Sequence, residues 1–350
     1  MAGGLLFLDS VGHYDINQMT EGKWTSREGS GSIVSSVNTG STKAFRGTAR
    51  KTLDSLKSEL RVGGRQKING PKNLFGFDNP NYNINLYVTV TADGRLDVRS
   101  YGGGEVHDTS AWGLTFGSEY FVELYGTMVV SEPSPNTFSI AWTYSIKVNG
   151  VVRHSGSANT GPAGFPVGVT DIAQLYWSQL VVTSDDSLSG WVGDIWLTSG
   201  ESLGDIQIVP LFPRANGTTV EWTPYGTSSN WVNVSEHIPD DDTTYNYTST
   251  ATKTDQYYMD TIGTFTGTIK GAQGVWRVEN ADAGSTQFVG MYVNGSSTVY
   301  LTTETWAPSA LDYTFFLDAQ RYSPFSGTAS GTNYTAAEID ASQVGIKKTV

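Results

Sequence analysis

The chain has 350 residues, of which 40 are glycine and none is cysteine, with 12% aromatic and only 16% charged side chains. That length exceeds the roughly 250–300 residues at which one core stops growing, so two domains are expected, and the load of Thr, Ser, Asn, Val and Tyr among glycine corners argues for many short strands and against long helices. A net charge of −12, from 34 acidic and 22 basic residues without a lysine or arginine run, argues against nucleic acid as a partner.

The absence of cysteine excludes disulfides, thiolate catalysis and Cys-based zinc sites, and it fits assembly in a reducing cytosol. The opening Met1 to Ser10 carries one short apolar run, Leu5 to Leu8, with no basic flank before it and Asp9 directly after. It reads as neither a signal peptide nor a membrane span, so no membrane insertion is expected.

In chain order, Lys51 to Arg61 places Leu53, Leu56 and Leu60 at helical spacing, which fits a helix, a charged strand edge or an exposed loop. From Ile84 to Ser100 apolar residues alternate around Leu86, Val88 and Val90, break at Ala92-Asp93-Gly94, and resume at Leu96 and Val98, the pattern of a β-hairpin. Tyr120 to Val130 forms a second such unit. A third sets Ile140, Trp142, Tyr144, Ile146 and Val148 on one face before Asn149-Gly150. Apolar runs at Ile172 to Val182 and Trp191 to Leu197 complete an antiparallel set, so residues 1–208 are predicted to be one sandwich.

The run Ile206, Ile208, Val209, Leu211, with Pro210 and Pro213, reads as a connector leading out of that sandwich. Strand-like segments follow at Thr261 to Ile269, Ala272 to Val278, Gln287 to Val293, Thr298 to Thr303 and Leu311 to Leu317. They predict a second, smaller β-sandwich over residues 209–350. No period of 20 to 50 residues repeats, which sets aside propellers and solenoids.

Several motifs succeed one another in a telling order. Phe7-Leu8-Asp9-Ser10 opens the chain, with His13-Tyr14 and Lys23-Trp24 after it; then come the Tyr87 to Val98 hairpin and Tyr120 to Gly126 with Glu123. Tyr144 to Val152 with Asn149-Gly150 and Gly193-Asp194-Ile195-Trp196 close the series. This order resembles phage virion proteins that carry an N-terminal concanavalin A-like, laminin-G-like jelly roll. The connector Leu203-Gly204-Asp205 through Pro213, then Trp222-Thr223-Pro224, Asn230-Trp231, Asp240 to Tyr245 and Gly345-Ile346-Lys347, is similar to the second domain of the same proteins. Single motifs of this kind occur in any antiparallel protein, and their serial order carries the resemblance.

Catalytic motifs are not evident. The jelly-roll fold also hosts glycoside hydrolases, which need two neighbouring carboxylates. The nearest approach, Glu338-Ile339-Asp340, lacks a third acid and reads as a turn or helical cap. Gly200-Glu201-Ser202-Leu203-Gly204 spells a nucleophile elbow, but that elbow requires a following helix, and here a Pro-containing strand-like run follows. The histidines His13, His107, His154 and His237 stand singly.

Asp185-Asp186 and Asp240-Asp241-Asp242 offer the hard oxygen ligands calcium takes, without EF-hand spacing. Calcium is therefore the one cofactor left open, beside the reading of both as solvated turns. Ten tryptophans and eighteen tyrosines exceed what a modest core needs. Trp112, Trp142 and Trp177 are the candidates for stacking on sugar rings, with core or interface packing as the other reading.

The resemblance thus implies an all-β, non-enzymatic virion surface protein of two sandwiches, assembled in the host bacterial cytoplasm. Capsid decoration, head fibre and tail-associated component are the roles it implies. Its partners would be other capsid or tail proteins, further copies of itself as a symmetric oligomer such as a trimer, and a host surface glycan. The alternative is a polysaccharide-degrading glycoside hydrolase on the phage surface.

Overall fold

The structure, a computed structural model, describes residues 5–11, 18–20, 24, 26–35, 43–101, 105–184, 190–263, 266–280, 286–295, 297–300, 313–320 and 333–350. The chain is all-β and antiparallel, in a sandwich, jelly-roll-like arrangement. It divides into two compact units, one of Met1–Gly12 with Trp24–Ile208, the other of His13–Lys23 with Val209–Val350.

The first unit begins with β1 (Leu5–Asp9), β2 (Ser26–Ser35), β3 (Lys43–Lys57), β4 (Glu59–Ile68) and β5 (Lys72–Asn79). It continues with β6 (Ile84–Val90), β7 (Arg95–Tyr101), β8 (Glu105–Gly113) and β9 (Ser118–Ser131). The last four strands are β10 (Thr137–Val148), β11 (Val151–Gly164), β12 (Trp177–Thr183) and β13 (Trp191–Thr198). Hydrogen bonding runs in the order β11-β10-β9-β4-β13-β3-β12-β5-β6-β7-β8, with β1 added to β13 and β2 to β3.

That path folds over on itself where β13 meets β3 through the one register pair Val192↔Phe45. A first layer, β11 to β13, then faces a second, β3 to β8. The facing is tight: a Cβ on Gly126 of β9 would come within 2.8 Å of Leu86 on β6, and one on Gly64 of β4 within 3.3 Å of Phe75 on β5.

Alternation builds the layers. Along β10, Phe138, Ile140, Trp142, Tyr144, Ile146 and Val148 point into the core, while Ala141 and Thr143 between them face solvent. Asn149 and Gly150, with φ of 50° and 78°, supply the two left-handed positions of the tight turn into β11. Gly94, at φ 82°, serves the β6–β7 hairpin in the same way.

For this unit one reading left open is decided and one expectation is corrected. Lys51 to Arg61 is not a helix but the end of β3 and the start of β4, because pairing of β3 with β12 overrides the leucine spacing. Leu60 is buried and Leu56 is 43% exposed, so the leucines share no face. The run Ile172 to Val182 is strand only from Trp177. Its first part is a 3₁₀ turn, Ile172–Leu175, capped by Asp171, whose Oδ1 accepts from the Ala173 amide at 2.8 Å.

The second unit contains β14 (Pro213–Val220), β15 (Thr223–Tyr225), β16 (Tyr245–Tyr247), β17 (Thr254–Met259) and β18 (Ala272–Val278). It ends with β19 (Phe288–Asn294), β20 (Ser297–Tyr300), β21 (Thr314–Gln320), a short helix α1 (Ala336–Ala341) and β22 (Ser342–Lys348). Five strands form a sheet, β14-β17-β22-β19-β20, while β15–β16 and β18–β21 are two-stranded. Trp276 and Val278 of β18 pack on Phe288, Tyr292 and Ile346 of that sheet, and the Trp276 indole donates to the Gly345 carbonyl at 2.9 Å.

The strand expected at Thr261 to Ile269 is absent from the described part of that segment and lies earlier, as β17. Asp255 and Gln256 of β17 are buried polar residues, which erases the alternation that a sequence shows for a half-buried strand.

The double-layer core gives a direct test. Phe77 is fully buried on β5, its ring 5.1 Å from that of Trp177. Phe77→Ala should lower unfolding stability by about 3–5 kcal/mol, read as a shift of the urea midpoint at unchanged slope.

Candidate functional site

Because β5, β6 and β7 send one side of each strand into the core, the other side forms a continuous outward surface on the second layer. The register sets two adjacent rows across it. One runs Arg50, Val181, Gly76, Tyr87, Arg99, and the next runs Thr52, Gln179, Asp78, Asn85. Gly76 is what lets an aromatic residue lie here: a Cβ at that position would fall inside the Tyr87 ring.

Asp78 anchors the arrangement. Its Oδ2 accepts from Arg50 Nη1 at 3.2 Å and from the Tyr87 hydroxyl at 3.1 Å. Burial raises the Asp78 pKa, while the Tyr87 hydrogen bond and the Arg50 charge pull it back. The Tyr87 phenol is pushed up to about 12, first by burial and then by the neighbouring Asp78 charge. Tyr87 therefore stays protonated at neutral pH and acts as a donor. Arg50 keeps 25% of its side chain exposed against 9% for Asp78, so the carboxylate is the sunken post and the guanidinium and phenol are its rim.

A second acid lies further along the same face. Asp97 accepts from Thr109 Oγ1 at 3.0 Å and pairs with Arg99 Nε at 2.9 Å. It sits two strands and four register positions from Asp78. Strand geometry separates them by about 16 Å, beyond the ~5–9.5 Å of a glycosidase acid pair.

The outward face of the first layer is closed differently. Residues 199–208 run across β9, β4 and β13: Arg61 Nε donates to the Gly200 carbonyl at 2.7 Å, Arg65 pairs with Asp205 at 3.0 Å, and Trp196 Nε1 donates to the Gly204 carbonyl at 3.2 Å. Beneath them Glu123, 2% exposed, accepts from Arg61 at 2.8 Å and from the Ser202 hydroxyl, with Lys147 at 3.5 Å. No helix follows Ser202, and its hydroxyl is committed to Glu123, so the elbow spelling is a covering segment. Beyond this cover, the layer presents short side chains such as Thr127, Thr143 and Ser157.

Burial takes two of the three tryptophan candidates out of reach of a ligand. Trp142 and Trp177 are fully buried, and their indole nitrogens meet no partner among the described residues. Trp112 is half-buried with the Arg153 guanidinium 4.6 Å from its ring centroid, a contact between β8 and β11.

Asp185 and Asp186 lie outside the described residues. Asp240, Asp241 and Asp242 are drawn to separate partners: Thr244 for the first, a bidentate Arg277 at 2.6 and 2.8 Å for the second, and the Tyr313 hydroxyl at 3.2 Å for the third. Among the described residues no group of three acid, histidine or cysteine side chains is placed to hold a metal ion. Glu338 forms a capping box with Thr335 at the start of α1. Asp340 accepts from the Ile262 amide at 2.7 Å. His154 bonds to the Asp108 carbonyl at 2.9 Å, His237 stacks on Phe212 at 4.1 Å, and His13 lies outside the described residues.

Arg50, Asp78 and Tyr87 were not singled out from the sequence. The available signal was the alternation of Asn85, Tyr87 and Thr89 against the apolar set of the best hairpin, which marks an outward face without saying what it carries. Among the described residues, no helix is long and apolar enough to cross a membrane.

No family model matches the chain, and no curated relative does. Solved structures that it resembles include domain 4 of a GH43 extracellular arabinanase from Geobacillus stearothermophilus, in complex with arabinotriose, at 14% identity and TM-score 0.33, covering 56% of this chain and 94% of that one. The enzymatically active domain of tailspike protein 2 from bacteriophage CBA120 matches at 10% identity and TM-score 0.29, covering 50% of this chain and 28% of that one. A PL-14 alginate lyase from Aplysia kurodai matches at 11% identity and TM-score 0.33, covering 55% and 98%.

The expectation that the chain is not an enzyme is corrected on these neighbours, which are enzymes or parts of enzymes by name. At such scores the likeness assigns no residue a role.

The Asp78–Tyr87 coupling sets a pH prediction. A phenol whose folded pKa lies above its ordinary 10.0 contributes stability that is intact below pH 10 and lost as pH rises toward about 12. Asp78→Asn removes the second of the two raising causes, the neighbouring charge, so the Tyr87 transition should move down, followed by tyrosinate absorbance against a Tyr87→Phe blank.

Proposed function

We propose that the chain is a phage surface protein that engages a host glycan through the outward face of β3, β12, β5, β6 and β7. The observation that carries this is the Tyr87 ring seated over Gly76, with its hydroxyl and the Arg50 guanidinium fixed on one sunken carboxylate. A partly exposed aromatic ring flanked by planar polar groups suits a sugar ring, whose C–H face stacks while its hydroxyls meet amide, guanidinium and carboxylate. Asn85 and Gln179 extend that polar rim along the adjacent row. The phage setting draws on the serial order of motifs set out from the sequence. As a virion component it would assemble as a symmetric oligomer, such as a trimer, on capsid or tail proteins, with neighbouring copies covering exposed strand edges.

A glycan array probed with the full chain, with and without calcium, tests this. Binding of a defined set of glycans is expected, weakened about tenfold or more by Arg50→Ala and by Tyr87→Ala, in line with the loss of a charged hydrogen bond or a stacking partner. Binding that survives both substitutions would place the contact elsewhere. The same incubation, assayed for new reducing ends, separates holding a chain from cutting it. Sedimentation at micromolar concentration should show an oligomer, and a folded monomer would count against the assembly.

A further inference from the structure

The second unit carries an aromatic surface that its own packing does not use. On the β15–β16 ribbon, Tyr225 stands opposite Tyr245 and Thr223 opposite Tyr247, so all three tyrosines share one face. The Tyr225 and Tyr245 rings stack at 4.7 Å with planes 24° apart, and Tyr247 lies 6.1 Å from Tyr245 at 60°. Tyr225 is 52% and Tyr247 49% exposed.

A two-stranded ribbon of three-residue strands is not stable alone, and something else holds this one. Asn233, 1% exposed, donates to the carbonyls of Tyr225 and Tyr245 at 2.8 and 2.9 Å, one on each strand. Asn246 donates to the Asn230 carbonyl and the Tyr257 hydroxyl, both at 2.8 Å, and Asn230 and Tyr257 both reach buried Asp255. The ribbon is thus bolted from behind by amides. The tyrosines stand on its other side, where exposed aromatic area is unfavourable unless something covers it.

The rim of this surface is acidic. Asp242 stands just before β16 in the chain and accepts from the Tyr313 hydroxyl at 3.2 Å, and its charge and that of Glu279 add, after burial and the phenols of Tyr225 and Tyr247, to holding the Tyr245 hydroxyl above its ordinary range. Arg277 is committed to a bidentate pair with Asp241, the residue before Asp242.

We propose that the Tyr225–Tyr245–Tyr247 face is a second carbohydrate-binding surface, taking an uncharged polysaccharide chain. Tyr245 covers one side of Tyr225 and leaves the rest of its ring to stack on a sugar, while Tyr247 offers a further ring along the ribbon. Asp242 and Glu279 accept sugar hydroxyls and repel uronates, sialic acids and phosphates. The stacked pair leaves no gap between its rings for a cation. The proposal does not depend on the first-unit face.

Affinity electrophoresis of the full chain through gels containing dextran, yeast mannan, galactan or polygalacturonate tests it. At least one neutral polysaccharide should retard the protein. Tyr225→Ala and Tyr247→Ala should each weaken that retardation about tenfold, and Tyr225→Phe, which keeps the ring, should retain it. Both tyrosines are half in solvent, so unchanged circular dichroism is expected of the variants. Any retardation by polygalacturonate should be indifferent to the tyrosine substitutions. No retardation by the neutral polysaccharides, or retardation that falls with Arg50→Ala but not with Tyr225→Ala, overturns the proposal, and the second result leaves the first-unit face standing. A Tyr225→Ala protein that changes its sedimentation coefficient while keeping its retardation would make the ribbon a subunit contact and overturn it equally.

Discussion

A carboxylate taken out of water keeps its place only where donors replace its lost hydration, and the described part of this chain repeats that arrangement at several points where separate segments meet. Asp9, fully buried on β1, accepts from the Val11 amide at 2.8 Å and from the Trp24 indole at 2.6 Å. Glu123 gathers Arg61 from β4 and Ser202 from the covering segment, 62 and 79 residues away in sequence. Asp255 takes the backbone amides of Glu221 and Trp222, the Asn230 amide and the Tyr257 hydroxyl. In a chain without cysteine these ties do the work of cross-links, but they are directional. Each one fixes the donor's position as well as the chain's.

The candidate surface is the same device turned outward. Asp78 differs from Glu123 in degree: its side chain keeps 9% of its area exposed against 2%, and the groups it holds, Arg50 and Tyr87, remain partly exposed. A guanidinium has a planar fork of N–H groups, so donating to Asp78 fixes its plane. A phenol that gives its proton to a carboxylate is likewise held in orientation while its ring stays available. Order bought at the carboxylate is order that a bound sugar does not have to impose.

The layers were legible in the sequence wherever alternation was apolar against polar. The β6–β7 and β10–β11 hairpins, with Asp93-Gly94 and Asn149-Gly150 at their corners, and strands β9, β13, β18 and β19 follow from period-two patterning and turn chemistry. Strands β3, β4 and β5 did not, because β3 carries six charged residues among its fifteen and meets both layers, and β4 sets two glycines mid-strand for the sake of Trp196 and Phe75. β17 was hidden by the buried Asp255 and Gln256, whose burial is satisfied by partners that only the fold brings near. The Asp78 cluster was invisible for the same reason, since it joins residues 78 and 87 on the neighbouring β5 and β6 to residue 50 on β3, across the intervening β12.

The misplaced tryptophans and the unremarked tyrosines share a cause. An indole is the largest apolar body a chain can bury, so Trp142 and Trp177 go to the core and Trp196 lies under the 199–208 cover, all three fully buried. A phenol ends in a hydroxyl that prefers water or a partner, so tyrosine is the aromatic residue that a β-surface can leave at its boundary. Tyr87 meets that requirement by donating to Asp78. Tyr225 and Tyr247 meet it by exposure. For a cysteine-free, weakly charged β-chain, aromatic recognition is therefore to be sought among tyrosines on the outward side of paired strands, next to the buried carboxylate or amide that holds the strand in place.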